Sequence, residues 1–246
     1  MTGLSETQPH IVQLGDRSVL CAGEFAGQLT ETLFSPAQLA EQQLLIGQAT
    51  GRGEAYFFHF RGYQLVLRHF RRGGLVGKLI SDRYLFLTLA ACRSWREFRL
   101  LALMSASGLP VPRPIAASVQ RHGLFYRADL LTELIPETRT LSASLTQPVS
   151  AATWSAIGAC LRRFHDAGIC HADLNAHNIL LDRQQRVFLI DFDRGRRRTD
   201  GGWKERNLQR LKRSLVKISS QNPDCRFRSE DWQQLRMGYA QAREDN

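Results

Sequence analysis

The spacing of apolar positions divides the chain into a strand-rich first half and a helix-rich second half. An aromatic run at 51–60, entered through a glycine-rich turn, and the segment at 64–70 predict one hairpin. The chain from 114 to 135, with a turn at Arg-His-Gly, predicts a second one. Between the hairpins, residues 82–106 predict a helix that Gly108 ends. We therefore expect a sheet of at most five strands with one helix.

The second half has the periodicity of helices. From Ser150, four apolar residues at the spacing i, i+3, i+7, i+10 predict a helix that ends at Gly168, and a short hairpin is predicted over 179–191. A helix over 204–217 and a last helix with Ser229 as its N-cap follow. The 204–217 helix has an apolar stripe, which predicts packing against the protein core, and an opposite basic stripe. The first is Leu208, Leu211, Leu215 and Ile218; the second is Arg206, Arg210, Arg213 and Lys217.

The composition is that of a globular protein with a strong basic bias. The 246 residues are 43% hydrophobic and 23% charged, with a formal net charge of +10. Basic residues cluster at 68–74, 194–198 and 204–217, and such clusters attract nucleic acid, anionic lipid or phosphorylated substrates. We find no zinc finger, RNP motif or basic strand interleaved with aromatic residues, so no nucleic-acid partner is expected.

The N-terminal residues and the cysteines predict a cytosolic protein without disulfides. The first ten residues lack the basic and apolar regions of a signal peptide, and no apolar run approaches the roughly 20 residues that span a bilayer. The five cysteines are scattered singly, without a Cys-x-x-Cys pair. Reduced thiols and no zinc site are expected.

The stretch from Cys170 to Gly195 carries the candidate chemistry. Phosphoryl transfer from a nucleotide needs a divalent ion, for which Mg²⁺ prefers carboxylate or amide oxygens, and a further carboxylate beside the attacking hydroxyl. A loop with Asp173 and Asn178, followed by Asp191 after the predicted hairpin, supplies these groups. The alternative is a polar loop before an ordinary hairpin. His171 is expected to be a structural hydrogen-bonding group.

These motifs resemble those of the protein-kinase-like fold. Residues 171–178 match the catalytic-loop pattern H-x-D-L-x-x-x-N, and Asp-Phe-Asp at 191–193 stands where kinases carry D-F-G. The resemblance implies that Asp173 is catalytic, that Asn178 and Asp191 hold the metal, and that ATP and Mg²⁺ are the cofactors.

The same resemblance implies an α+β, two-lobe fold in a single kinase-like domain, 1–246. Its N-lobe, 1–135, is a small antiparallel sheet with one helix. Its C-lobe, 136–246, is short and mainly helical. No A-P-E motif follows Asp193, so we expect a small or lipid-linked acceptor instead of a peptide.

Upstream residues fit the nucleotide-binding parts of a kinase, with one departure. Arg68 stands where the third strand usually carries lysine, and Glu97 fits its partner on the following helix. An arginine fork and a lysine point charge hold phosphates differently, and Lys78 is an alternative phosphate ligand. Gly51 and Gly53 allow close approach of the backbone to phosphates, although a hairpin turn explains them equally well.

The amino-acid sequences of several segments resemble those of the bacterial lipopolysaccharide-core kinases, above all those that act on 3-deoxy-D-manno-octulosonic acid (Kdo). The segments are LVLRHFRRGGLVGKL, REFRLLALMSASGLPVPRPIA and GICHADLNAHNILLD with VFLIDFDRGRRR. The resemblance covers residues 45 to 240. It implies ATP-dependent phosphorylation of the Kdo 4-OH on a Kdo–lipid A precursor, Kdo–lipid IVA, by a peripheral protein at the cytoplasmic face of the inner membrane.

Three alternatives remain open from the sequence. Lipopolysaccharide heptose kinases and RIO-like kinases share parts of the pattern, and a non-catalytic basic module is the alternative of a different class. Arg71, Arg72, Lys78 and the run 196–198 are candidates for binding the anions of an acceptor and of an anionic membrane surface.

Overall fold

The computed structural model describes residues 8–49, 54–71 and 82–242. The chain divides into two compact units. Unit 1 comprises Met1–Ala102 and Arg113–Leu134, and unit 2 comprises Leu103–Pro112 and Ile135–Asn246. No helix in the described part of the chain has the length and apolar character needed to cross a bilayer.

Unit 1 is built on one antiparallel sheet. Its strands are β1 (His10–Leu14), β2 (Arg17–Cys21), β3 (Leu45–Ala49), β4 (Ala55–Phe60), β5 (Tyr63–His69), β6 (Tyr84–Leu85), β7 (Pro114–His122) and β8 (Phe125–Glu133). Their order is β1-β2-β7-β8-β5-β4-β3, and β6 pairs with β8. The expectation of at most five strands is therefore wrong. The outer strands β1 and β3 are largely exposed and β6 has two residues, so none carries a clear apolar alternation.

The core of unit 1 lies against this sheet. Phe25, Leu33 and Phe58 are buried there with residues from β2, β5 and β7. A short helix, α1 (Pro36–Glu41), adds to the single helix expected; the Ser35 side chain caps its first turn.

The long helix α2 spans Arg93–Ala106 and buries Trp95 and Phe98. The predicted start at residue 82 is wrong, because β6 and a 3-10 turn at Leu89–Ala91 occupy the first part of that range. The Thr88 side chain accepts a hydrogen bond from the Ala91 amide and so fixes this turn. Gly108, at φ +68°, follows the helix as predicted.

Unit 2 is mainly helical. Its helices are α3 (Leu141–Ser144), α4 (Ala151–Asp166), α5 (Trp203–Gln221) and α6 (Ser229–Gln241), and its short strands are β9 (Arg139–Thr140), β10 (Ile169–Cys170), β11 (Ile179–Leu181), β12 (Val187–Leu189) and β13 (Arg196–Arg197). The predicted helices α4 and α5 and the β11–β12 hairpin are confirmed. All five cysteines are free.

The predicted cap of α6 is wrong by one position. Ser229 is the first helical residue and Arg228 is the N-cap. The Asp231 carboxylate accepts a hydrogen bond from the Arg228 amide at 2.8 Å, which stabilises the start of the helix one residue earlier than expected.

Helices α4 and α6 approach each other at two glycines. A Cβ atom on Gly158 would overlap the Leu235 carbonyl, and one on Gly238 would overlap the Ser155 carbonyl. Because the obstacles are backbone atoms, a side chain at either position must push the helices apart.

We predict that Gly238→Ala lowers the free energy of unfolding by about 1–3 kcal/mol or more, the usual cost of overpacking a core. Urea denaturation measures this loss. Gly27→Ala is the matched control, because a Cβ there meets nothing within 4 Å, and its stability should match that of the wild type. Equal stability of the two variants would contradict the close approach of α4 and α6.

A buried histidine joins α4, α5 and α6. Tyr239 donates from its hydroxyl to His165 Nδ1 (2.8 Å), and His165 Nε2 donates to Asn207 Oδ1 (3.2 Å). The Asn207 amide nitrogen in turn donates to the His171 carbonyl at 2.7 Å. Burial lowers the pKa of His165 to about 4, so the ring is neutral at pH 7.

This pKa predicts a loss of stability in acid. Since the unfolded histidine titrates near pH 6.5 and the folded one near 4, the unfolded state binds the extra proton as the pH falls between these values. From pH 7.5 to 4.5, His165 should account for roughly 2–3 kcal/mol of lost unfolding free energy. Urea midpoints of wild type and His165→Gln at both pH values measure it. A parallel pH dependence of the two proteins would refute the prediction.

Candidate active site

The polar loop after β10 is held by a buried histidine, as the sequence predicts. His171 Nδ1 accepts a hydrogen bond from the Asp173 amide at 3.1 Å. Because an amide can only donate, the ring proton lies on Nε2, which donates to the Ile190 carbonyl at 2.9 Å. Burial lowers the pKa of His171, which favours this neutral form. The ring thereby links the loop to the residue before Asp191.

Hydrogen bonds of His171 and Asn178 join the Asp173 segment to Ile190, the residue before Asp191, and together they form one frame. Asn178 donates from its side-chain amide to the Asp173 carbonyl at 2.9 Å, and its own carbonyl accepts from the Ile190 amide at 3.0 Å. The β11–β12 hairpin returns the chain, with Ile179 paired to Leu189. The predicted proximity of the Asp191 segment to the Asn178 loop is confirmed.

Asp191 itself adopts a left-handed backbone conformation, with φ +63°. Asp and Asn tolerate this region better than other non-glycine residues, and such conformations concentrate at functional sites. The following Phe192 is buried, stacks on Phe164 at 5.7 Å between ring centroids and lies 4.6 Å from the His171 ring. The buried phenylalanine therefore anchors the turn that presents Asp191.

Asn178 and Asp191 carry oxygen groups of the kind that hold a magnesium ion. Asn178 is 8% exposed, and because its amide nitrogen is occupied by the Asp173 carbonyl, its oxygen is the group left to coordinate. One carboxylate and one amide oxygen suit Mg²⁺, which takes its remaining ligands from phosphate and water. Within residues 8–49, 54–71 and 82–242, no three His, Cys, Asp or Glu side chains gather into a metal cluster.

Helix α5 contacts the loop through three polar residues that the sequence analysis did not connect with it. Asn207 bonds the His171 carbonyl, Ser214 accepts from the Ala176 amide at 3.3 Å, and Arg210 forms an ion pair with Asp173. Asn207, Arg210 and Ser214 follow the spacing i, i+3, i+7 of one helix face. This spacing is visible in the sequence and places the three residues on one face. However, Arg210 also belongs to the row of basic residues, which drew attention to its charge instead of to this face.

In unit 1, the predicted pairing of Arg68 with Glu97 is present. Arg68 on β5 forms an ion pair with Glu97 on α2, and Glu97 is only 3% exposed. The guanidinium also lies 4.7 Å from the centre of the Phe70 ring. A buried carboxylate and an aromatic face therefore fix the direction of the arginine.

Other candidates are engaged elsewhere or lie outside the described residues. Gly51, Gly53, Arg72 and Lys78 fall outside them. Arg71 forms two hydrogen bonds, of 3.0 and 2.9 Å, with the Glu54 carboxylate.

The basic run at 196–198 lies next to the loop. Strand β13 pairs with β10, which enters the loop, and the Arg198 amide donates to the Gly168 carbonyl at 2.8 Å. These arginines are exposed, so the backbone is held while the cationic side chains stay available to anions.

Comparison with known proteins agrees with this geometry. A family model described as "Lipopolysaccharide kinase (Kdo/WaaP) family" matches residues 37–239. A protein of Vibrio vulnificus named 3-deoxy-D-manno-octulosonic acid kinase is 40% identical over 92% of this chain and 96% of its own length. Proteins of the same name from Haemophilus influenzae and Vibrio cholerae are 45% and 48% identical, over 82% and 70% of this chain and 87% and 74% of their own.

The resemblance drawn from the loop and the basic segments is thereby confirmed, and so is the prediction of a kinase. The family model and relatives at this identity over most of the chain show that this protein belongs to the lipopolysaccharide kinase (Kdo/WaaP) family.

Proposed function

We propose that this protein phosphorylates a hydroxyl of Kdo during synthesis of the lipopolysaccharide core. The observation that carries the proposal is the frame in unit 2, in which His171 and Asn178 hydrogen-bond both to the Asp173 segment and to Ile190, next to Asp191. The relatives named as kinases of 3-deoxy-D-manno-octulosonic acid supply the acceptor. Membership of a kinase family implies ATP as the phosphate donor.

We propose a protein-kinase-like, two-lobe fold for the whole chain, with an N-lobe at 1–135 and a C-lobe at 136–246. The antiparallel sheet of unit 1 and the helices of unit 2 support this assignment. The last passage of the chain from unit 1 to unit 2, between Leu134 and Ile135, lies next to the proposed lobe boundary, whereas Leu103–Pro112 of the proposed N-lobe belongs to unit 2.

Each candidate residue takes one role in the proposed reaction. Asp173 orients the acceptor hydroxyl and receives its proton, while Asn178 and Asp191 hold Mg²⁺, which neutralises phosphate charge when bound. Arg68, directed by Glu97, binds the α- and β-phosphates. Such a site accelerates transfer by positioning and charge neutralisation more than by a strong base.

The glycine segment and Lys78 complete the proposed nucleotide site. Gly51 and Gly53 permit the backbone to approach the phosphates, and Lys78 is a second cation for them.

We propose Kdo–lipid IVA as the acceptor and its 4-OH as the phosphorylated group. Such a glycolipid carries a sugar carboxylate and phosphates, which suits the net charge of +10. It resides in a membrane, so we further propose peripheral association with the cytoplasmic face of the inner membrane, aided by the exposed arginines of the 196–198 run.

Incubation with labelled ATP, Mg²⁺ and candidate acceptors tests the function. We predict transfer to Kdo–lipid IVA, with the phosphate at the 4-OH by product analysis. Asp173→Asn should lower kcat by about 10²–10⁴-fold, the usual contribution of a positioned base. Asp200→Asn is the matched control, because Asp200 is exposed and pairs only with Lys204 among the described residues, and it should keep wild-type activity.

Two results would contradict the proposal. Transfer to heptose or to protein, with none to Kdo–lipid IVA, would show that the proposed acceptor is wrong. Full activity of Asp173→Asn would remove Asp173 from its catalytic role.

The Arg68–Glu97 pair predicts a selective effect on the nucleotide. Glu97→Gln removes the buried charge that directs Arg68, so KM for ATP should rise about tenfold, equivalent to about 1.4 kcal/mol of binding, while KM for the acceptor stays within about twofold. Steady-state kinetics with each substrate varied in turn measures both values. Glu41→Gln, on the exposed side of α1, is the control. An equal rise in both KM values would argue that Glu97 serves the fold alone.

A further inference from the structure

The ion pair between Arg210 and Asp173 leaves one side of each group available. Arg210 donates to Asp173 through Nε (3.0 Å) and Nη2, and both bonds end on the same oxygen, Oδ1. Among the described residues, neither Asp173 Oδ2 nor Arg210 Nη1 has a further partner. The pair thus presents an acceptor for a hydroxyl proton beside donors for an anion.

This ion pair is not what builds the loop. The side chains of Arg210 and Asp173 are 47% and 46% exposed, and ion pairs exposed to water contribute little to stability. The loop is held by the neutral bonds of His171, Asn178 and Asn207. Arg210 is therefore available for a role in binding.

The surroundings of Arg210 favour an anionic ligand. Arg206, Arg213 and Lys217 lie on the same face of α5 and are exposed, and no carboxylate within the described ranges pairs with them. The nearby Glu205 is held by Arg236 at 2.6 Å instead. A row of four cations, one of them paired, leads along the helix to the proposed catalytic aspartate.

We infer that Arg210 binds the carboxylate of the acceptor sugar and so selects an acidic sugar over a neutral one. This rests on the proposed function, since Kdo bears a carboxylate and hydroxyls on one ring. A guanidinium that already contacts Asp173 can receive that carboxylate on its remaining N–H groups through charge-assisted hydrogen bonds. The sugar is then anchored beside the aspartate that takes the hydroxyl proton, which makes Arg210 an acceptor-binding residue that determines specificity.

The test compares two acceptors with several proteins. The acceptors are Kdo–lipid IVA and its methyl ester at the Kdo carboxyl group, which has the same hydroxyls without the charge. With the wild type, kcat/KM should fall about 10–100-fold from the acid to the ester. In Arg210→Gln, kcat/KM for the acid should fall by a similar factor, mainly through a higher KM for the acceptor. Its kcat/KM for the ester should fall no more than about twofold.

Two further variants distinguish binding of the carboxylate by Arg210 from a general loss of positive charge on α5 and from a loss of folding. Lys212→Gln removes one exposed charge from another face of α5. Its ratio of kcat/KM for the acid to kcat/KM for the ester should equal that of the wild type. Arg210→Lys keeps the charge but loses the planar fork, so its ratio should lie between those of the wild type and Arg210→Gln. Thermal melting should show all variants folded, because the Arg210–Asp173 pair and Lys212 are exposed.

An equal loss on acid and ester with Arg210→Gln would overturn the inference and assign Arg210 to the orientation of Asp173 alone. No loss on either acceptor would overturn it as well. A wild-type protein inactive toward both acceptors would instead refute the proposed function, and this inference with it.

Discussion

The structure of unit 2 depends on one buried imidazole. His171 must accept a hydrogen bond from the Asp173 amide and donate one to the Ile190 carbonyl at the same time, which only the neutral ring with its proton on Nε2 can do. The two bonds set the separation between a loop and a strand end that are far apart in sequence. Burial of the ring against Phe192 favours its neutral form, and the two hydrogen bonds then select the tautomer.

Neutral groups form the frame, and charged groups stand at its edge. The bonds of Asn178 and Asn207 end on carbonyl oxygens, so they need no counterion and do not weaken with salt. Asp173 and Arg210 are about half exposed, where a substrate can exchange for water at little cost. Unit 1 uses the opposite arrangement: the charged partner, Glu97, is buried and forms an ion pair with Arg68.

Local patterns predicted much of this fold from the sequence. The helix at Trp154 and Phe164, the β11–β12 hairpin and the loop residues have clear periodicity or motif spacing. The exposed strands β1 and β3 do not, because their pairing depends on partners elsewhere in the sheet instead of on their own apolar content.

The same contrast between local sequence patterns and long-range contacts applies to the candidate site. Asp173, Asn178 and Asp191 were recognisable because their spacing along the chain is itself the motif. Arg210 was not, because its partner lies 37 residues away and only the folded helix brings them together. A row of basic residues on a helix does not reveal which of them forms an ion pair with a carboxylate of the same chain.

The bond from Tyr239 to His165 has a consequence for the order in which the protein is made. Chains emerge from the ribosome N-terminus first, and the strands of unit 1 are complete once residue 133 has emerged. The network that reaches the His171 carbonyl closes only when α6 docks against Gly158 and Tyr239 meets His165. A nascent chain that already contains the whole polar loop, 170–195, therefore still lacks part of its support until Tyr239 has been synthesised.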